Sequence, residues 1–160
     1  MLMRHGEAEE LADGGDARRR LTSRGRTMAV RAGAMLRATG LVPSVAVASP
    51  FVRAQETLQG VLEASGVRLE VTTEPRLVPG APAQQAVKAL LSAAAGGGRV
   101  LAVGHNPCVT SVLSVLVGGS ARMCFAVSAG DIAHVSVDPS EGSGVLLSYL
   151  PARVLDALAR

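Results

Sequence analysis

Hydrophobic residues along this chain gather into short blocks, and the turn residues between the blocks assign each one a secondary structure. Val42 to Ala48 is β-branched and apolar, punctuated by Pro43-Ser44 and Ser49-Pro50, which predicts a buried strand. Further strands are predicted at Arg68–Thr72, Arg99–Val103, Ile132–Val137 and Val145–Leu150, the last two joined by Asp138-Pro139-Ser140-Glu141-Gly142-Ser143-Gly144. Met1 to Met3 is a short, clipped strand, as if a few residues preceded it, and it runs straight into Arg4-His5-Gly6. Thr22 is a good N-cap for a helix carrying Ala29, Val30, Ala32, Gly33 and Leu36 at helical spacing to a stop near Gly40. Other helices are predicted from Phe51 to about Ala64 with Gly66 as the stop, from about Ala83 to Ala95 before Gly96-Gly97-Gly98, from Pro107 in a first turn to about Val117, and over Ala152–Ala159. Residues 11–20, with Asp13-Gly14-Gly15-Asp16 and three arginines, predict a loop, and Pro75, Pro79 and Pro82 mark a second connection.

Strands and helices that alternate at these lengths predict an α/β fold, a three-layer α/β/α sandwich with a mostly parallel central sheet. Neither a repeat nor a linker interrupts the 160 residues, a length usual for one domain, so a single domain over 1–160 is expected.

Composition narrows the function. Apolar residues are 48% and charged residues 18%, which favours a packed core over disorder. With no Trp, two Phe and one Tyr, that core is built from Ala, Val and Leu, and no row of rings is available for stacking bases. The net charge of +3 is small, and the cluster Arg18, Arg19, Arg20, Arg24, Arg26 reads as a solvated loop and helix start, so no nucleic-acid partner is expected. Cys108 and Cys124 are too few and too far apart for a disulfide framework or a zinc site, and are expected to be reduced structural thiols. Arg4 and His5 interrupt the place of a signal peptide's apolar region, and no apolar run reaches the roughly 20 residues that span a bilayer, so a cytoplasmic location without a membrane partner is expected.

The candidate chemistry lies at predicted strand ends, where open α/β sheets bind ligands. Arg4-His5-Gly6-Glu7 follows the first strand, Ser49-Pro50-Phe51-Val52-Arg53 the second, and Gly104-His105-Asn106-Pro107 the fourth. Two of these clusters lie at predicted helix N-termini, where free backbone N–H groups favour an anion. Convergent arginines and histidines suit phosphoryl transfer, because a guanidinium fork grips two phosphate oxygens and a neutral imidazole nitrogen can attack phosphorus. No carboxylate cluster suggests a metal, which leaves charge neutralisation to Arg4, Arg53 and His105.

Leu2-Met3-Arg4-His5-Gly6-Glu7-Ala8 resembles the signature of the histidine phosphatase (phosphoglycerate mutase-like) superfamily. Leu21-Thr22-Ser23-Arg24-Gly25 resembles that family's helix start, Ser49 to Thr57 its second-arginine segment, and Val103-Gly104-His105-Asn106-Pro107 its second-histidine segment. The matches fall in the right order over about residues 1–117. Together with the short chain, the His105 segment most resembles the SixA branch, the small protein-phosphohistidine phosphatases. The resemblance implies that His5 is the nucleophile, that Arg4 and Arg53 bind the phosphoryl oxygens, that His105 binds and stabilises the transition state, and that no metal or organic cofactor is needed. Gly6, Arg24 and Asn106 border this set as candidate substrate-binding positions, Arg24 being equally readable as a helix-surface arginine. Glu7 either orients His5 or lies in the loop. His134, within an apolar alternation, reads as structural.

The chain departs from the family at one point. Many phosphoester-cleaving members carry an acid beyond the third strand that protonates the leaving oxygen, and here Glu74-Pro75-Arg76 puts an arginine at that place, with Glu74 no more than a possible substitute. An imidazole leaving group needs that acid less, and 160 residues leave little for a lid. The expected substrate is therefore phosphohistidine on a partner protein such as a histidine phosphotransfer domain. A small phosphoester (a sugar or nucleotide phosphate) is the alternative. A non-catalytic phosphoprotein-binding module is a third reading, against which an intact His5 speaks.

Overall fold

The computed structural model describes residues 1–121 and 125–158, so Cys124 and the predicted last helical residue, Ala159, lie outside the described residues. The strands are β1 (Leu2–Arg4), β2 (Val45–Ala48), β3 (Val71–Thr73), β4 (Val100–Gly104), β5 (Ile132–Asp138) and β6 (Ser143–Leu150). The helices are α1 (Ser23–Ala38), α2 (Val52–Ser65), α3 (Ala83–Ala94), α4 (Cys108–Gly118) and α5 (Ala152–Leu158), with 3-10 turns at Asp16–Arg18 and Pro75–Leu77. One six-stranded sheet runs in the order β3-β2-β4-β1-β5-β6. Its first four strands are mutually parallel; β5 pairs antiparallel with β1, and β6 antiparallel with β5, so five of the six strands point the same way.

Both faces are covered. Met3, Leu101, Val103 and Ile132 pack against Ala29, Ala32 and Leu36 of α1, Leu58 and Val61 of α2, and Leu155 of α5. On the other face Leu2, Ala102 and Ala133 pack with Ala86 and Val87 of α3 and Val109, Val112 and Leu113 of α4. Alternate residues of β1 and β4 thus feed opposite layers, as a doubly covered parallel sheet requires. The chain yields the predicted mostly parallel three-layer sandwich, and no described helix is long and apolar enough to cross a membrane.

Local chemistry moves several boundaries. β2 begins at Val45 instead of Val42, because the backbone just before it is tied elsewhere: the Arg99 guanidinium donates to the carbonyls of Gly40 and Val42, and Ser44 Oγ accepts from the Arg99 amide. β3 is shifted later and shortened: it lies at the edge of the sheet and, among the described residues, pairs only with β2, with Ala46 opposite Val71. Pro107 sits one residue ahead of its expected place, as the N-cap of α4, after a cis Asn106–Pro107 bond. Thr22 caps α1 as predicted, its hydroxyl accepting from the Gly25 amide at 3.0 Å.

Two glycines let α1 lie directly on the loop that follows β1. A Cβ on Gly25 would stand 1.9 Å from the Glu7 carbonyl oxygen, and one on Gly6 would stand 2.7 Å from the Gly25 carbonyl oxygen. No side chain fits between these backbones, which accounts for the glycine of the Leu21-Thr22-Ser23-Arg24-Gly25 segment. Gly25→Ala is expected to lower stability by about 1–3 kcal/mol in a urea titration, whereas Gly96→Ala, whose Cβ meets open space, stays within about 0.5 kcal/mol. An unchanged Gly25→Ala midpoint would show that the two backbones separate freely.

Candidate active site

Three strand ends build the site because β2, β4 and β1 are neighbours and end at one level, with Ala48 opposite Val103 and Arg4 opposite Gly104. From β1 the chain crosses one face through α1 to β2; from β4 it crosses the other face through α4 to β5. The crevice between β1 and β4 is therefore the switch point of the sheet, where the connections diverge and leave a hollow. His5 and His105 enter it from adjacent strands, their ring centroids 4.8 Å apart and their planes inclined by 54°.

The surroundings of His5 fix its tautomer. Nδ1 lies 2.7 Å from the Gly6 carbonyl oxygen, which can only accept, so Nδ1 carries the proton. Nε2 then holds a lone pair, and it accepts from Arg53 Nε at 3.2 Å. Burial, with the positive Arg53, Arg4 and Arg19 nearby, pushes the His5 pKa down from 6.5 to about 4, against the Gly6 hydrogen bond that favours the charged ring. The ring is neutral and nucleophilic at neutral pH.

His105 is buried at 1% exposure. Ser49 Oγ lies 2.9 Å from its Nε2, and Phe51 meets its ring edge-on at 5.0 Å. Burial, then His5 and Arg53, push its pKa down to about 3. Its Nδ1 is buried with no hydrogen-bond partner among the described residues, as is Nε of Arg4. A hydroxyl donating to Nε2 makes Nδ1 an unspent N–H donor. Arg4 directs Nη1 to the Val127 carbonyl at 2.9 Å. Arg53 is also buried, with its Cζ 5.0 Å from the Phe51 ring centre and both terminal nitrogens on Asp16, which nothing in the sequence marks apart from other loop acids.

The amino-terminal part of the chain, residues 1–78, matches the model of the histidine phosphatase superfamily (branch 1). Among solved structures, the protein histidine phosphatase SixA complexed with tungstate superposes with a TM-score of 0.84 at 27% identity, covering 96% of this chain and 97% of that one. The chain is thus similar to the histidine phosphatase superfamily over its first 78 residues and to SixA over nearly its whole length. More distant likenesses carry the fold alone. They include the α-ribazole phosphatase of Shigella flexneri, at 18% identity over 94% of this chain and 95% of that one with a TM-score of 0.73. The phosphoglycerate mutase of Bacillus anthracis is similar at 16% identity over 99% and 95%, with a TM-score of 0.74. Among curated protein sequences none matches. The chain is a phosphatase, and its second-histidine segment lies beyond the family match, in the part where the likeness to SixA continues.

The other candidate positions hold the site together. The Gly6 amide donates to Thr57 Oγ1 at 3.0 Å, and Thr57 in turn donates to the Arg53 carbonyl at 2.6 Å, so the turn carrying Arg53 is tied to the loop carrying His5. Glu56 accepts from the Leu21 amide and from Arg20 Nε. Asn106 spends its amide on the Val127 carbonyl and on the Thr110 hydroxyl, bracing the start of α4. Arg24 is largely exposed and reaches Glu7 at 3.3 Å; Glu7 also accepts from the Thr22 hydroxyl, and so engages α1 and not His5. His134 is at the other end of the strands, lining a groove with Met1, Arg99 and Val137. Cys108 is buried, its thiol pushed up to about 11, and it donates to the Arg76 carbonyl.

Glu74 is almost fully buried, and Arg76 grips it with two bonds, Nε to Oε1 at 2.6 Å and Nη2 to Oε2 at 2.7 Å. The Arg76 amide adds a third at 2.9 Å, and the pairing holds the carboxyl below its ordinary pKa despite burial. Among the described residues, no group of three or more His, Cys, Asp and Glu is placed to hold a metal ion.

Both site histidines take up a proton less readily folded than unfolded, so stability is lost as pH falls from about 6.5 towards 4. NMR titration of the ring carbons is expected to show both rings neutral at pH 5.5, with Nδ1 as the protonated nitrogen of His5. A His5 midpoint at or above 6.5 would contradict the dry, cationic environment.

Proposed function

We propose that this phosphatase removes phosphoryl groups from phosphohistidine on a partner protein, by way of a phosphohistidine of its own on His5. The observation that carries the reading is the Glu74–Arg76 pair: the one acid near the expected position is committed to a guanidinium and kept ionised. A carboxylate held this way cannot donate the proton that an alkoxide leaving group requires. A leaving imidazole needs no such donor. Its second ring nitrogen takes a proton from water near neutral pH, and it then departs as neutral imidazole when the P–N bond breaks.

In the first displacement the lone pair on His5 Nε2 attacks phosphorus, the P–N bond of the substrate breaks, and its electron pair returns to the leaving ring. Arg53 and Arg4 bind the phosphoryl oxygens, and the unspent N–H of His105 supports the charge spread over them in the transition state. In the second displacement water attacks the phosphorus on His5, the P–Nε2 bond breaks, and inorganic phosphate leaves with the neutral ring restored. The Gly6 carbonyl keeps the proton on Nδ1 throughout, so the same nitrogen is presented each time. The SixA structure, alike over 96% of this chain, is itself named a protein histidine phosphatase, which agrees with this substrate class.

The decisive assay incubates the purified protein with a phosphorylated histidine phosphotransfer domain and no added metal. Release of phosphate is expected, falling roughly a thousandfold or more in His5→Ala. Glu74→Gln is expected to hydrolyse phosphohistidine within about threefold of the parent, since no proton is drawn from it. Equal release by His5→Ala defeats the covalent route. Strong Glu74-dependent turnover of sugar or nucleotide phosphates makes the small phosphoester the better substrate.

A further inference from the structure

Protein groups already engage all three nitrogens of Arg53. Nη1 donates to the Asp16 carbonyl oxygen at 2.5 Å, Nη2 to Asp16 Oδ2 at 2.9 Å, and Nε to His5 Nε2 at 3.2 Å. The second carboxylate oxygen of Asp16 accepts from Arg19 Nη1 at 2.8 Å, so a single acid bridges two guanidinium groups. Three oxygens of one residue thus meet two arginines beside the nucleophile, much as a phosphoryl group would.

The two partners differ in freedom. The Arg53 side chain is 4% exposed and locked from several sides, whereas that of Asp16 is 52% exposed. Asp16 opens a 3-10 turn with no buried residue, after the left-handed Gly14 and Gly15. The turn belongs to a loop that hangs from a narrow neck: Ala8 bridges Leu21, the Glu9 amide donates to the Arg20 carbonyl, and the Thr22 amide donates to the Glu7 carbonyl. Above the neck the loop is held mainly through Asp16 and through Arg19, which also reaches the Glu9 carbonyl.

We propose that Asp16 is an internal competitor for the anion-binding face of Arg53, and that it sets the affinity and selectivity of the phosphoryl pocket. The inference rests on reading Arg53 as a phosphoryl ligand. A carboxylate and a phosphate dianion repel strongly at such range, so the incoming group exchanges with Asp16 and is not added beside it. The acid swings out with its turn while Arg53 stays. If the closed arrangement outweighs the open one by a factor K, every oxyanion binds 1 + K times more weakly than to an uncovered site. Product phosphate and small phosphates bear that penalty in full. A protein substrate wide enough to touch the displaced turn recovers part of it, so the device favours a phosphoryl group carried on a larger surface.

Tungstate, a tetrahedral oxyanion, is the probe, titrated calorimetrically at pH 7 into the wild type, Asp16→Asn and Asp13→Asn. Asp16→Asn keeps the size and removes the competing charge; it is expected to bind tungstate roughly 5–50-fold tighter and to be inhibited by inorganic phosphate at correspondingly lower concentration. Asp13→Asn, which removes an exposed charge from the same loop away from Arg53, is expected to change binding less than twofold. Backbone amides of residues 14–19 are expected to shift on tungstate addition in the wild type. Equal or weaker binding by Asp16→Asn would mean that Asp16 merely positions Arg53, and would overturn the proposal, as would a matching gain in Asp13→Asn or unmoved loop amides. Tungstate binding that Arg53→Ala leaves intact would instead remove the underlying assignment of Arg53. Because the readout is anion binding, it stands apart from whether phosphohistidine is the substrate.

Discussion

The parallel pairing of β1 with β4 is the constraint on which the site depends. It puts Arg4 level with Gly104, and since successive residues of an extended chain alternate between faces, the next residue of each strand is delivered to the same crevice. Two histidines a hundred positions apart in the sequence become neighbours through backbone register and not through attraction. Imidazoles do not seek one another, and beside three arginines neither can afford a proton. The sheet, with its two apolar layers, holds them together regardless, and the interaction that stabilises the fold is for this reason separate from the one that serves chemistry.

Burial then does the electrical work. Water is excluded from His105 and Arg53, so positive charge in the crevice is poorly screened and both rings stay neutral. Dry cations without enough partners are costly, and the structure meets the cost with carbonyl oxygens, Val127 for Arg4 and Asp16 for Arg53. Among the described residues, Nε of Arg4 and Nδ1 of His105 stay unmatched, which marks the hollow as a place where an anion is favoured.

Much of this was legible in the sequence. The period and punctuation of the apolar blocks located every strand and every α-helix, because turn residues such as Gly66 and Pro82 act locally. Arg4, His5, Arg53 and His105 stood out because each lies just past an apolar strand. The rest depended on contacts between distant segments, for which single residues carry no signal. Asp16 looks like any loop acid until Arg53 arrives from α2. Glu74 looks like a spare proton donor until Arg76 folds back on it. Asn106, read as a substrate neighbour, has its amide drawn towards the Val127 carbonyl by a segment after α4. The late start of β2 likewise reflects a side chain, Arg99, that replaces ladder bonds with its own.

The neck beneath the Asp16 loop has an engineering consequence. Because the ends of that loop are pinned by the Ala8–Leu21 bridge and by the Glu9–Arg20 and Thr22–Glu7 backbone bonds, the loop is anchored apart from the cap of α1, and its tip reaches the site through Asp16. Any graft between residues 9 and 20 therefore replaces the Asp16 contact to Arg53 along with the loop, and changes the pocket as well as its rim.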